Sequence, residues 1–230
     1  MANGSQQIGI EEGMIPHEIR IRLYELLAAS PLIFWSFLGI AGSSLRLSQL
    51  TLSWESTPTI GSHIATILFL GFVIIFLIIR RPPLRKTIGV TPRLVALIGC
   101  ALPSFVALLP RVAVSPSTAF FSSVIALLGT TIAAIAVFFL GRSFSILPQA
   151  RQLVTSGPYR IVRHPLYLAE LAVIFGVIWE IQQPWPIFVL FSAIGIQVLR
   201  IYFEEKILSE TFPLYQEYAK RTPRLLPGIY

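Results

Sequence analysis

The chain is 230 residues long, 54% hydrophobic and only 13% charged, with a mean hydropathy of +0.73. Soluble domains carry about twice that share of charge, so an ordinary water-solvated surface is excluded and the chain reads as a set of membrane spans. The formal net charge of +7 then belongs to loops on one side of a bilayer rather than to a nucleic-acid partner.

A spanning helix needs about 20 mostly apolar residues. Leu26 to Leu45 is the first such run and carries no charge. Thr57 to Ile79 is the second, interrupted only by His63. Leu94 to Pro110 is the third, with a kink expected at Pro103. Val112 to Gly141 is longer than one crossing needs, and its helix is placed at about Ala119 to Leu140. The fifth span, Leu166 to Ile181, includes Glu170. The sixth, Ile187 to about Leu208, runs from pure hydrocarbon into Arg200, Glu204 and Glu205. Between these two, Gln182-Gln183-Pro184-Trp185-Pro186 has the composition of a tight interfacial turn, so the pair is expected to form a helical hairpin. The fold class is an all-α, polytopic membrane bundle of six spans, with five or a broken last pair as the alternatives.

Placing both termini in the cytosol puts 16 of the 18 Lys and Arg on that side and leaves only Arg46 and Arg111 outside. That asymmetry sets the orientation. Residues 1 to 18 lack a basic start joined to an apolar core, so they read as a short cytosolic lead, not a signal peptide. A single cysteine, Cys100, excludes a disulfide framework. The three histidines lie far apart with no metal-ligand spacing, and no metal is expected.

Polar chemistry is concentrated late in the chain. From Gln149 onward the sequence holds His164 and six of its seven tyrosines. Residues 1–140 therefore read as a transmembrane scaffold of about four spans, and residues 141–230 as a catalytic region. Ser156-Gly157-Pro158-Tyr159 is turn chemistry. His164 precedes Pro165, so it belongs at the N-terminal boundary of the fifth span with Tyr167 in the first turn. Arg200 and Glu204 share a helix face, and an ionisable pair at a span's inner end is a functional-site candidate. Each signal also has an ordinary reading. Arg160 and Arg163 would serve as snorkelling phosphate anchors, Arg200–Glu204 as a structural ion pair, His164 as a helix-end hydrogen-bonder, Glu170 as a bond to another span, and His63 and Cys100 as packing residues.

The order of motifs carries more than any one of them. Leu153-Val-Thr-Ser-Gly-Pro-Tyr159, Arg163-His-Pro-Leu-Tyr167, Arg200-x-x-x-Glu204-Glu205, Phe212-x-x-Tyr215-x-x-Tyr218 and Pro223-Arg-Leu-Leu-Pro227 together resemble the isoprenylcysteine carboxyl methyltransferases, within a wider group that includes the membrane phospholipid N-methyltransferases. The resemblance covers about Phe144 to Ile229. It implies an S-adenosylmethionine site between the final spans and a cytosolic C-terminal segment. The cofactor would touch Gln149, Arg151, Gln152, Leu153, Val154, Tyr159, His164, Pro165, Leu166 and Tyr167, with Glu204 from the last span. Arg200 would face the methyl acceptor, and Arg200 and Glu204 would be the catalytic pair. Eukaryotic members carry histidine where Arg151 stands, glycine is usual in the family where Pro213 stands, and Ala169 is an acceptable small residue.

Methyl transfer from a sulfonium is an in-line displacement, so the enzyme mainly aligns donor and acceptor and excludes water. Arg200 suits a carboxylate acceptor. For an amine or thiol acceptor, Glu204 or Glu205 would take the proton. His164 could pair with the donor's polar groups, and the faces of Tyr159 and Tyr167 could hold the sulfonium. The expected partner is a lipophilic acceptor entering laterally from the bilayer, with membrane lipids around it and no nucleic acid; the sequence leaves the oligomeric state open. The rival readings are a nicotinamide-dependent membrane reductase of isoprenoid double bonds and a non-catalytic membrane protein.

Overall fold

The computed structural model describes residues 17–226. Residues 1–16 of the expected lead, the motif residue Pro227 and the end of the resemblance at Ile229 lie outside that range. The first helix, α1 (His17–Gln49), begins well before the uncharged run. Its extra N-terminal turns bring Arg20, Arg22 and Glu25 to the end of the bundle. Helix α2 (Thr57–Ile79) fills the second expected span. It opens with Pro58, which suits a first helical position because its missing N–H would have no partner there. Helix α3 (Thr91–Leu108) runs through Pro103. Helix α4 (Pro116–Leu140) starts three residues earlier than the sequence suggests, because Ser115 caps it by accepting from Thr118 N at 3.1 Å.

The last two helices differ in length. Helix α5 (Pro165–Val177) gives way to a 3₁₀ turn over Ile178–Glu180. At about 1.5 Å per residue, its α-helical part falls short of the roughly 30 Å of a hydrocarbon core. Helix α6 (Trp185–Thr211) is long, and a short α7 (Tyr215–Arg221) follows it. Among the described residues, four helices (α1, α2, α4 and α6) are long and apolar enough to cross a membrane. Those residues form an all-α integral membrane protein, apart from one two-residue ribbon.

Helix association in lipid depends on close backbone approach more than on hydrophobic burial, and small residues decide the pairings here. A Cβ on Gly129 of α4 would lie 3.0 Å from Val173 N, and one on Gly176 of α5 would lie 3.1 Å from Ala126 N. Helix α5 therefore packs chiefly on α4, with the buried Ala133 and Ala136 nearby. Helix α6 packs chiefly on α3, where a Cβ at Gly99 would meet Arg200 Cδ at 2.6 Å. The turn between α5 and α6 forms as expected, closed by Trp185 N donating to Gln182 O at 3.2 Å. Its two helices nevertheless each take a different principal neighbour.

At that end, Arg111 pairs with Glu180 at 3.1 Å and Ser122 donates to the same carboxylate at 2.5 Å. At the opposite end, an antiparallel ribbon joins β1 (Arg85–Lys86) to β2 (Gln149–Ala150). The sequence did not signal this ribbon, because two residues are too few for any period to show. Leu84 N donates to Ala150 O at 2.8 Å and Thr87 Oγ1 to Pro148 O at 2.5 Å. These bonds hold the segment that enters the site.

Candidate active site

The site sits where the start of α5 meets the C-terminal half of α6. Pro165 begins α5, so the preceding residue cannot continue the helix, and His164 takes φ −126° and ψ 60°. Pro165, Leu166 and Tyr167 are all buried. The His164 and Tyr167 rings lie parallel, 5.5 Å apart. From α6, Glu204 accepts the Tyr167 hydroxyl at 2.5 Å. The Arg200 guanidinium lies 4.2 Å above the Tyr167 ring, a cation–π geometry.

Arg200 does not pair with Glu204 as their spacing suggested. It donates to Glu170 on α5 at 2.7 Å and to Gln197 at 3.2 Å, and Gln197 donates to the same Glu170 oxygen at 2.6 Å. The geometric reason is that α6 turns Arg200 toward α5, where a buried guanidinium meets a carboxylate across the helix pair. Glu170 thus makes the interhelical bond foreseen as its ordinary role. Arg200 is 6% exposed, and its Nε has no partner.

Glu205 gathers the other motif residues. Arg163 donates to it at 2.6 Å, His164 Nε2 lies 3.2 Å away, and Arg224 Nε donates at 3.0 Å. The C-terminal segment closes over this group through Arg163 N to Pro223 O at 2.8 Å and His164 N to Arg224 O at 3.0 Å. Tyr218 of α7 donates to Tyr159 O at 2.6 Å. Burial, with the Glu204 charge nearby, holds the Tyr159 hydroxyl well above the usual phenol range, and that hydroxyl has no partner. Burial likewise pushes Tyr218 up to about 12.

Two cavities adjoin this cluster. The first is a small, partly open hollow of about 40 Å³; Tyr167, Arg200, Glu204 and Gln149 bring polar groups to it, and Ala96 and Leu147 are among its apolar walls. The second, a more open hollow of about 380 Å³, lies against Gln152, Leu153 and Val154, and the two share Leu140 and Ser143. The expected site residues are therefore divided. Gln149, Tyr167, Arg200 and Glu204 meet at the first cavity. Gln152, Leu153 and Val154 line the second. His164, Pro165, Leu166 and Tyr159 stand behind the first as its support, in neither cavity's lining.

Arg151 lines neither cavity. Its side chain is 0% exposed and donates to Glu25 of α1 at 2.9 Å, to Gln149 at 2.7 Å and to Arg81 O. Sequence reasoning missed Glu25 and Gln197 as parts of this arrangement. Gln197 could have been found, being a lone amide in an apolar run one turn before Arg200. Glu25 could not, because its partner lies 126 residues away. No three His, Cys, Asp or Glu side chains are grouped to hold a metal ion among the described residues.

Residues 110–214 match the model of the phospholipid methyltransferase family. The chain is 35% identical over 116 residues to protein-S-isoprenylcysteine O-methyltransferase B of Arabidopsis thaliana, covering 45% of this chain and 56% of that protein. It is 39% identical over 80 residues to the cobalt-zinc-cadmium resistance protein CzcN of Cupriavidus metallidurans, covering 34% and 36%. It is 31% identical over 113 residues to the nickel-cobalt-cadmium resistance protein NccN of Alcaligenes xylosoxydans xylosoxydans, covering 46% and 49%. The matches thus span between about a third and a little over half of these relatives. Residues 110–214 are thus similar to the phospholipid methyltransferase family, within the wider membrane methyltransferase group to which the motif order pointed.

Proposed function

We propose that the protein is a multi-pass membrane methyltransferase that uses S-adenosylmethionine to methylate a lipophilic acceptor, its preferred group being a carboxylate of the isoprenylcysteine type. In this reading α3 and α5 complete six crossings, and both termini face the cytosol, as the Lys and Arg asymmetry favours. One observation carries the proposal: Tyr167, Arg200 and Glu204, from two helices, converge on one cavity that also receives Gln149.

The residues present suit the donor. Glu204 is 35% exposed on its side chain and accepts from Tyr167, leaving lone pairs for an ammonium or a ribose hydroxyl. Tyr159 Oη and Arg200 Nε are buried polar atoms without partners, which native proteins rarely leave unexplained. Gln149, Tyr167 and Glu204 would hold the donor. When bound, S-adenosylmethionine would supply a sulfonium methyl group whose carbon an acceptor attacks in line, the new bond forming as the carbon–sulfur bond breaks and S-adenosylhomocysteine leaves.

The chain's own part is placement. Glu170 and Gln197 fix Arg200 from one side while the Tyr167 ring supports it from below. That leaves Nε to take an acceptor oxygen. Leu140, Ile146 and Leu147 line the cavity with hydrocarbon, which weakens the hydration of a carboxylate and favours charge-neutralising transfer. A carboxylate acceptor has no proton to lose, so no base is required. A second reading, an amine acceptor on a phospholipid, is favoured by the family match and by Glu204, whose part-exposed carboxylate could take the ammonium proton.

The test uses methyl-labelled S-adenosylmethionine with the full chain in bilayers, offered farnesylcysteine or phosphatidylethanolamine. A base-labile product on farnesylcysteine is expected, and Arg200→Ala should reduce it on the order of 100-fold through lost alignment. Arg200→Ala turning over at the wild-type rate would remove Arg200 from the acceptor site.

A further inference from the structure

At the end of the bundle where α2 finishes, positive charge accumulates without matching carboxylates. Arg80 (3.1 Å), Lys86 (2.9 Å) and Arg151 (2.9 Å) all pair with the one carboxylate of Glu25. Arg80 and Arg151 each retain a buried Nε with no partner. Arg81 and Arg142 stand beside this group, and neither meets a carboxylate among the described residues. Arg81 donates to the Gln152 amide, and Arg142 Nε donates to Ile79 O at 3.0 Å. Five cations thus face a single anion, and burial together with Arg151 depresses the ionisation range of Arg80.

The second cavity opens at this corner. Arg81, Arg142, Ser143, Gln152, Thr155 and Ser156 supply its polar lining, and no acidic residue takes part. The guanidinium fork and the hydroxyl donor are the groups that recognise tetrahedral oxyanions. Its apolar wall is Phe139, whose ring packs against Gly157, where a Cβ would come within 2.3 Å. That contact fixes the rim segment to α4. Phe138 and Phe139 are also exposed on the surface of α4, so the cavity is continuous with the face a lipid tail would cover.

We propose that this corner is a phosphate-binding site, supplied either by the headgroup of an anionic phospholipid or by free phosphate. It adjoins the cavity of Tyr167 and Glu204, sharing Leu140 and Ser143 with it but no charged group, and does not depend on the methyl acceptor. An occupant would offset the charge that Glu25 leaves unmatched and hold α2, the Gly141–Ser143 turn and the 152–156 segment together.

The experiment is native mass spectrometry of the full chain in detergent with equal amounts of phosphatidylglycerol and phosphatidylcholine, repeated with inorganic phosphate as competitor. Two variants are compared, Arg81→Gln with Arg142→Gln, and the exposed rim change Ser156→Glu, which adds a repelling charge without touching a buried group. The wild type should retain phosphatidylglycerol over phosphatidylcholine by about tenfold or more, and both variants should lose that preference. Displacement of the lipid by inorganic phosphate supports the site with free phosphate as an occupant; retention despite it supports the site with lipid as the source. Equal lipid retention by wild type and both variants overturns the proposal. So does loss of S-adenosylmethionine binding in the variants with lipid retention unchanged, since the cavity would then belong to the methyl donor.

Discussion

Tyr167 is shared by three neighbours: its hydroxyl binds Glu204, its ring lies under Arg200, and the same ring lies parallel to that of His164. Such sharing couples the three side chains, because moving one disturbs the others' contacts. Tyr218 shows how the same closure answers to pH. Its hydroxyl donates to Tyr159 O, and its ionisation rises from 10.0 to about 12. Between those values the unfolded chain has lost the proton while the folded chain keeps it. Stability is therefore full below pH 10 and falls as pH climbs toward 12. A thermal melt series should show a declining Tm in that window, and Tyr218→Phe should show a shallower decline. An identical decline in both proteins would contradict the assignment. At this scale the sequence revealed His164, Tyr167, Arg200 and Glu204 through their order, since neighbouring motif positions are local. It hid the choice of Glu170 over Glu204 as Arg200's partner, because rotation of α6 against α5 is a packing outcome.

Among the elements, α2 was legible in length and place and α4 to within three residues, because each is a long uncharged run closed by an arginine, Arg80 or Arg142. The short α5 was overestimated. Its apolar run continues to Ile181, but the last residues tighten into a 3₁₀ turn tied to Arg111. The turn at Gly157 is an element-scale test. Its φ of +60° suits glycine, and any Cβ there strikes the Phe139 ring. Gly157→Ala should destabilise the protein by about 1–3 kcal/mol, by strain and overpacking together. Detergent melts would register this as a lower Tm, whereas an unchanged Tm would show that the rim segment is not fixed by this contact.

Across the whole molecule, membrane character follows from composition, but helix partners do not. Gly129, Gly176 and Gly99 decide that α5 joins α4 and α6 joins α3, and glycine in an apolar run carries no label for its neighbour. The orientation is tested by accessibility in a Cys100→Ala background. A membrane-impermeant maleimide applied to intact cells should label Thr51→Cys and spare Ser156→Cys; the reverse pattern would invert the topology. In the proposed function the methyl donor's seat is the Tyr167–Glu204 cavity. Calorimetry of S-adenosylmethionine binding to the wild type and to Glu204→Gln tests that most directly. Binding in the wild type, weakened by about tenfold or more in a variant that melts normally, is the expected result. No binding to the wild type, or equal binding to both, would contradict it.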